Sequence, residues 1–555
     1  MKFLHTILKE EKKWFALLFI ITMMLYGNTI NNGFTIDDHY VTLNATVKKG
    51  ISAAPEIFKS FYAENENNNY FEYRPLVKIT FALEHTLFKG SPKASHLINI
   101  LLYWLALILL YKFLKQIVSA DALELACTIL LFAVLPLHTE VVASLKNRDI
   151  LLCFIFTFLS FLHLNKAISY EKRKYLFWAY LFSVLAFLSK IEALPFILII
   201  PIVLIKNHGF NLKKQWITYL VLPLGFVSYQ IIRYTALDGG TDHHPFYNFE
   251  RPEELQYDYL FRLSVGLNCL GFYILKLVVP AKLACYYGLY TIPLGISHYF
   301  LVGVITASVS LFVFFKFLKK PEQLWIGLIL FILPISLYLQ VAEPVPGIVG
   351  DRFTFFSSVG YSIIITQIFK KVFVFLRSKK LISESGLVLM TITILGIYSW
   401  QTINRNSEWN NNLTLYKSDV KKWPNSIKLN ILYANEIIEN ITKKTGLIKS
   451  EAVSEHVELA YNHMLKANQL DSTYYNSLNT LAYIDLSFYN QPQRAINWLH
   501  KAQRFDTINY EIPLNLCLAF VRLNKPDSVK KYYAKTVKLN PVIKPKLDQV
   551  VKSLN

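Results

Sequence analysis

Two adjacent carboxylates, Asp37 and Asp38, end the stretch Gly33-Phe34-Thr35-Ile36-Asp37-Asp38, just after the first long apolar run. Residues Trp14 to Tyr26 carry no charge and cover most of a bilayer as a helix, so both acids stand close to where it emerges. Holding ionisable groups at that depth is costly, which makes them functional candidates. The ordinary alternative is that Asp37 caps a surface helix and Asp38 is solvated. Cations occupy comparable boundaries further on: Arg74 in Tyr73-Arg74-Pro75-Leu76, Arg148 in Asn147-Arg148-Asp149, Lys190 in Ser189-Lys190-Ile191-Glu192, and Arg352 in Gly350-Asp351-Arg352-Phe353. Each alone reads as an anchor, a cap or a surface pair. Jointly, two acids and several cations on one side of a bundle suit an anionic group such as a phosphate. His138 and Glu140 lie in the same set, within Leu137-His138-Thr139-Glu140. Tyr287, in the run Tyr286-Tyr287-Gly288-Leu289-Tyr290, either stacks on a sugar or belongs to an interfacial aromatic belt. His243-His244 resembles a metal pair, but adjacent histidines seldom share one ion, and a loop is the preferred reading.

The elements that must position these residues are helices. The chain has 555 residues, of which 53% are hydrophobic and 17% charged, with a mean hydropathy of +0.32. The charges cluster between long apolar runs, the pattern of a polytopic helical membrane protein. The net charge of +20 comes from lysines in short loops and in the C-terminal region, which argues for the positive-inside rule and against nucleic-acid binding. The five cysteines show neither metal spacing nor a disulfide framework. Tyr26-Gly27-Asn28 offers no small-residue cleavage site, so the first apolar run reads as an uncleaved span.

After the run at Trp14, candidate spans follow at 95–114, 122–137, 149–165, 175–190, 193–206, 215–234, 260–280, 296–318, 322–340, 354–376 and 384–402. Lys9, Lys12 and Lys13 place the N-terminus in the cytoplasm, and Lys319-Lys320 with Arg377-Ser378-Lys379-Lys380 are also read as internal. Twelve spans conflict with the charge asymmetry. The segment 260–280, holding Asn268, Lys276 and Pro280, is therefore read as interfacial or re-entrant, which leaves about 11 spans. The loops 31–92, 138–148, 235–295 and 341–353 then share the extracytoplasmic face with everything after residue 403.

From residue 404 the composition turns polar and helix-forming. Gln469-Leu470-Asp471-Ser472, Arg504-Phe505-Asp506-Thr507 and Lys538-Leu539-Asn540-Pro541 each end a helical run, at spacings of 35 and 34 residues. Small residues align upstream at Ala467 and Ala502, with Thr536 in the third copy. Helix pairs at this period are the tetratricopeptide signature, and stacked pairs make a concave surface for partner proteins. The fold class expected is all-α: a helical membrane domain over 1–403 followed by an extracytoplasmic tetratricopeptide-repeat-like domain over 404–555.

In that order these motifs resemble the transmembrane and tetratricopeptide-repeat-containing protein O-mannosyltransferases, of the GT-C glycosyltransferase superfamily. The matching stretches are Phe34-Thr35-Ile36-Asp37-Asp38, Tyr73-Arg74-Pro75-Leu76, Leu135 through Val142 with Arg148-Asp149-Ile150-Leu151-Leu152, and Leu188-Ser189-Lys190. Gly350-Asp351-Arg352-Phe353, Ser358-Val359-Gly360-Tyr361 and Arg405-Asn406-Ser407-Glu408-Trp409 complete them. Two departures stand out: Ile191 separates Lys190 from Glu192, and Asp351 stands where a glutamate is common.

The resemblance implies an enzyme that moves a sugar, mannose in that family, from a polyprenyl phosphate to Ser or Thr hydroxyls of proteins with inversion. It implies Asp37 as the base, with Asp38 orienting the acceptor or sharing the role. Arg148 and Arg352, then Arg74 and Lys190, would bind the donor phosphate, and His138, Glu140 and Tyr287 the sugar or acceptor. No cofactor or metal is expected; a divalent metal enters only with a pyrophosphate-linked donor. The expected partners are the lipid-linked donor, a protein or peptide acceptor held by the repeats, and membrane lipids, at the periplasmic or ER-lumenal face. Two alternatives stay open: an oligosaccharyltransferase or envelope-glycan transferase with a larger lipid-linked donor, and a non-catalytic scaffold or transporter.

Overall fold

A computed structural model describes residues 10–64, 70–241, 246–318, 322–379, 383–445 and 451–551. His243 and His244, together with Lys9, Lys319, Lys320 and Lys380 of the orientation argument, lie outside the described residues. The described chain is all-α apart from one antiparallel pair of two-residue strands, Ala63–Glu64 and Tyr70–Phe71. It divides into two compact units. The first comprises Met1–Phe246, Glu253–Cys285 and Pro293–Leu415; the second comprises Tyr247–Pro252, Tyr286–Ile292 and Tyr416–Asn555.

The first unit is the membrane bundle of a multi-pass protein. Among the described residues, eight helices are long and apolar enough to cross, or nine if the bent pair Ala122–Val134 and Pro136–Ala143 is one span. The expected number of about 11 falls because some apolar helices are short: Arg173–Ser189 has 17 residues, and Gln323–Tyr338 is likewise below the length required. The segment 260–280 needs correction in the other direction. It forms an unbroken 20-residue helix, Tyr259–Val278, long and apolar enough to span. Its polar residues are satisfied by neighbours. Asn268 donates to the carbonyls of Ser264 (3.1 Å) and Gly295 (2.9 Å) and accepts from Ser297 Oγ (2.6 Å). Lys276 Nζ donates to the carbonyls of Ala281 and Lys282, and Pro280 lies beyond the helix end. Charge and amides inside an apolar run cost little once they are bonded in this way.

That helix packs against His298–Phe317 with no side chain between the backbones at two points. A Cβ on Gly271 would stand 1.9 Å from the carbonyl oxygen of Tyr299, and one on Gly303 would stand 1.9 Å from that of Leu267. Small residues permit this approach, which is the main source of helix–helix contact in lipid. At one end of the bundle the chain is broken rather than helical. Pro136 follows a bend of 50° after Val134, and the short helix Thr139–Ala143 and the turn Leu145–Asn147 lead into Arg148–Tyr170. Pro75 and Pro92 start two further helices at this end, where a missing N–H is harmless. Non-helical backbone at this depth collects the polar residues of interest.

The second unit is built of helix pairs: Ile427–Thr445 with Glu451–Leu470, Tyr475–Ile484 with Pro492–Phe505, and Glu511–Arg522 with Pro526–Leu539. Pro492 and Pro526 open equivalent helices 34 residues apart. Ala467, Ala502 and Thr536 are all buried, so the repeat's small positions are where helices pack.

Gly271→Leu is expected to force the paired helices apart and destabilise the bundle by roughly 1–3 kcal/mol, the usual cost of overpacking. A Cβ at Gly396 meets nothing within 4 Å, so Gly396→Ala should leave stability unchanged or slightly raised. Thermal unfolding of the detergent-solubilised variants checks both.

Candidate functional site

The two acids have opposite fates. Asp38 is fully buried, and its carboxylate is closed by four donors: Thr35 N (3.0 Å) and Thr35 Oγ1 (3.3 Å) at Oδ2, Lys146 N (2.7 Å) and Ser144 Oγ (3.2 Å) at Oδ1. Burial pushes this carboxyl above its ordinary range, opposed by the backbone N–H groups of Lys146 and Thr35. Asp37 begins the short helix Asp38–Thr42 without a side-chain capping bond. Its carboxylate instead meets Lys146 Nζ at 2.5 Å, with 42% of the Asp37 side chain and 32% of the Lys146 side chain exposed. Between them and Thr35, Ile36 is held at φ 49°, a left-handed value rare for a β-branched residue. Its N–H donates to Asn412 Oδ1 at 2.7 Å. The strained turn presents one acid outward and turns the other in.

A chain of buried ion pairs lies beside this turn. Arg74 pairs with Glu72 and Asp149 and lies over the Tyr62 ring at 5.0 Å. Asp149 also faces Lys190 Nζ at 3.5 Å, and Lys190 reaches Glu192 at 3.0 Å. Glu192 accepts from the Tyr338 hydroxyl, and Tyr338 stacks on Phe353 at 4.1 Å. Arg352, its guanidinium 4.7 Å from the centre of the Phe353 ring, pairs with Glu140, which also accepts from Arg352 N (3.0 Å). Burial alone would lower the affinity of Arg74 for its proton, but Glu72 and Asp149 outweigh it and hold the guanidinium charged more firmly than water does. Glu140 does the same for Arg352. Burial, with Asp149 adding, pushes the Tyr62 phenol up.

Residues 74–231 match the family model described as dolichyl-phosphate-mannose-protein mannosyltransferase. The chain is 25% identical over 525 residues to the protein O-mannosyl-transferase TMTC1 of Homo sapiens, covering 84% of this chain and 56% of that protein. It is 23% identical over 435 residues to the protein O-mannosyl-transferase F38B6.6 of Caenorhabditis elegans, covering 74% and 58%. Over 164 residues, 28% of this chain and 17% of the relative, it is 30% identical to the protein O-mannosyl-transferase Tmtc2 of Drosophila melanogaster. Over most of its length this chain is similar to proteins named protein O-mannosyl-transferases. It spans a little over half the length of the first two relatives. No solved structure matches it.

Within this chain the predicted residues separate. Asp37, Asp38, Arg74, Glu140, Lys190 and Arg352 gather at the broken end of the bundle. Arg148 is in the same region but sealed: its side chain has no exposed surface, pairs with Glu84, and donates to Asn99 Oδ1 (2.7 Å), Thr80 Oγ1 (3.1 Å) and Ser95 O (3.1 Å). It also lies over the Phe81 ring at 4.0 Å. His138 is a satisfied core histidine, bonded to Tyr103 OH (2.9 Å) and Ser358 Oγ (2.8 Å) among Phe132 and Phe355. Tyr287 belongs to the second unit, where it is buried against Trp423. Among the described residues, no group of three His, Cys, Asp or Glu side chains is placed to hold a metal ion.

Sequence reasoning passed over Lys146, which is only two residues before Arg148, and over Glu84. A lone glutamate within the apolar helix Pro75–Phe88 was a usable signal, because such a charge needs a buried cation. Arg148→Met strands Glu84 without its partner and is expected to destabilise the protein by roughly 3–5 kcal/mol. Replacing both, as Arg148→Met with Glu84→Leu, should recover most of the loss. A matching loss in the double variant would show that Arg148 acts through something other than this pair.

Proposed function

We propose that this protein is an inverting glycosyltransferase that moves a sugar, mannose by its relatives' names, from a polyprenyl phosphate to Ser or Thr hydroxyls of proteins. The observation that carries the reading is Asp37: a half-exposed carboxylate on a strained turn, next to the closed carboxylate of Asp38 and paired with the ammonium of Lys146. The acceptor oxygen attacks the anomeric carbon from the face opposite the phosphate. Its proton passes to Asp37, and the bond from the anomeric carbon to the phosphate oxygen breaks, its electron pair leaving with the polyprenyl phosphate. A hydroxyl needs such a base because it is a weak nucleophile.

Arg352, with 30% of its side chain exposed, is the predicted cation best placed to meet a phosphate. Arg74 and Lys190, about a tenth exposed, set the field around it through Asp149 and Glu192. Arg148 and His138 act by holding the scaffold. A single phosphate needs no metal when preorganised cations take up its charge. The loops and the repeat domain are assigned to the extracytoplasmic side with the N-terminus cytoplasmic, and the helical repeats to the recruitment of acceptor proteins.

Purified protein is incubated with polyprenyl-phosphate mannose and a Ser/Thr peptide, and the peptide is followed by mass spectrometry. One hexose is expected, with or without EDTA. Asp37→Asn should lower transfer by about 10²–10⁴-fold, the usual share of a general base, while the donor still binds. Normal turnover by that variant would remove Asp37 from the role. A requirement for divalent metal would favour a pyrophosphate-linked donor.

A further inference from the structure

Lys146 is held in an unusual way. Its backbone is clamped on both sides, the N–H on Asp38 Oδ1 at 2.7 Å and the carbonyl on the Tyr62 hydroxyl at 2.8 Å. Its side chain is not: the ammonium reaches Asp37 across a half-exposed ion pair. Every other cation named here is more costly to recruit. Arg148 is wholly enclosed with Glu84, Arg74 and Lys190 share the buried Asp149, and Lys190 also holds the buried Glu192, so moving either takes charge compensation from a buried acid. Arg352 is open but holds Glu140 through both its backbone and its side chain. A lysine is a compact charge on a flexible four-carbon stem, so it can change partners without moving the backbone. An exposed ion pair is worth little, which makes this exchange cheap.

We propose that Lys146 is the switchable phosphate ligand of the site: it neutralises Asp37 in the free protein and transfers its ammonium to the phosphate of the donor when that arrives. The exchange takes the Lys146 ammonium away from the Asp37 carboxylate. A carboxylate that loses an adjacent cation becomes a better proton acceptor. The base is therefore strengthened only when a donor is seated. No bond is made or broken in this step; the proton of the acceptor goes to Asp37 in the transfer that follows. This inference rests on the reading that the ligand is a polyprenyl phosphate, and the bond from the backbone N–H of residue 146 to Asp38 is independent of the lysine side chain.

The test is equilibrium binding of a polyprenyl monophosphate to the full chain in detergent, with the unphosphorylated polyprenol as the control probe. Wild type should bind the phosphate in preference to the alcohol. Lys146→Met should weaken phosphate binding by about tenfold or more, the value of one charge-assisted hydrogen bond, and Lys146→Arg should restore most of it. Asp37→Asn removes the competitor for the ammonium, so it should tighten binding by a few-fold on the order of an exposed ion pair. In the Lys146→Met background, Asp37→Asn should have no effect. Binding by Lys146→Met equal to wild type would overturn the proposal, as would tightening by Asp37→Asn that persists without Lys146. Wild type that binds phosphate and alcohol alike would instead contradict the donor reading itself.

Discussion

The closed carboxylate of Asp38 is the interaction on which the site depends. Its four donors come from two segments far apart in the chain, Thr35 on the first loop and Ser144 with Lys146 on the broken stretch before the helix Arg148–Tyr170. A buried carboxylate that lost these bonds would be too costly to keep, so the two segments stay docked wherever the fold persists. That docking sets where Asp37 points, where Lys146 starts, and why Ile36 must accept a left-handed backbone. Strain of this kind persists when the surroundings over-determine it, as they do here.

The same constraint explains the ion pairs around it. At the end of an apolar bundle a lone charge is expensive, so each buried cation is matched by an acid: Arg148 by Glu84, Arg74 by Asp149 and Glu72, Lys190 by Asp149 and Glu192. Pairing fixes geometry but also consumes the charge. The cations with the strongest motifs are therefore the least available to a ligand, and availability falls to Lys146 and Arg352, roughly a third exposed. In the proposed transfer, a static field from the paired residues and a mobile charge from the open ones would divide the work of stabilising a leaving phosphate.

Much of this was legible in the sequence, for physical reasons. Apolar length gave the membrane bundle, and the 34-residue recurrence of small residues gave the helix pairs, because Ala467, Ala502 and Thr536 sit where helices touch. The acid pair was visible as charge at a boundary. Which acid is open was not, since that depends on Ser144 and Lys146, over a hundred residues away. Arg148 and His138 carried strong motif signals yet serve the interior, because a motif does not distinguish a side chain aimed at a ligand from one aimed at a neighbour. The segment 260–280 reads as interfacial or re-entrant from its Asn268, Lys276 and Pro280, but in the fold Gly295, Ser297 and the carbonyls of Ala281 and Lys282 satisfy the two polar side chains.

The central claim is that one acid is available and the other is not. In the proposed reaction Asp37, the open acid of the pair, acts as base, so transfer is one displacement and the configuration at the anomeric carbon inverts. A double displacement needs a carboxylate free to attack that carbon. The most direct test is the anomeric configuration of the glycosylated peptide, read by nuclear magnetic resonance against that of the polyprenyl-phosphate donor. The account predicts inversion. Retention would contradict it, since it would require a covalent glycosyl intermediate on a nucleophile that the closed Asp38 cannot supply.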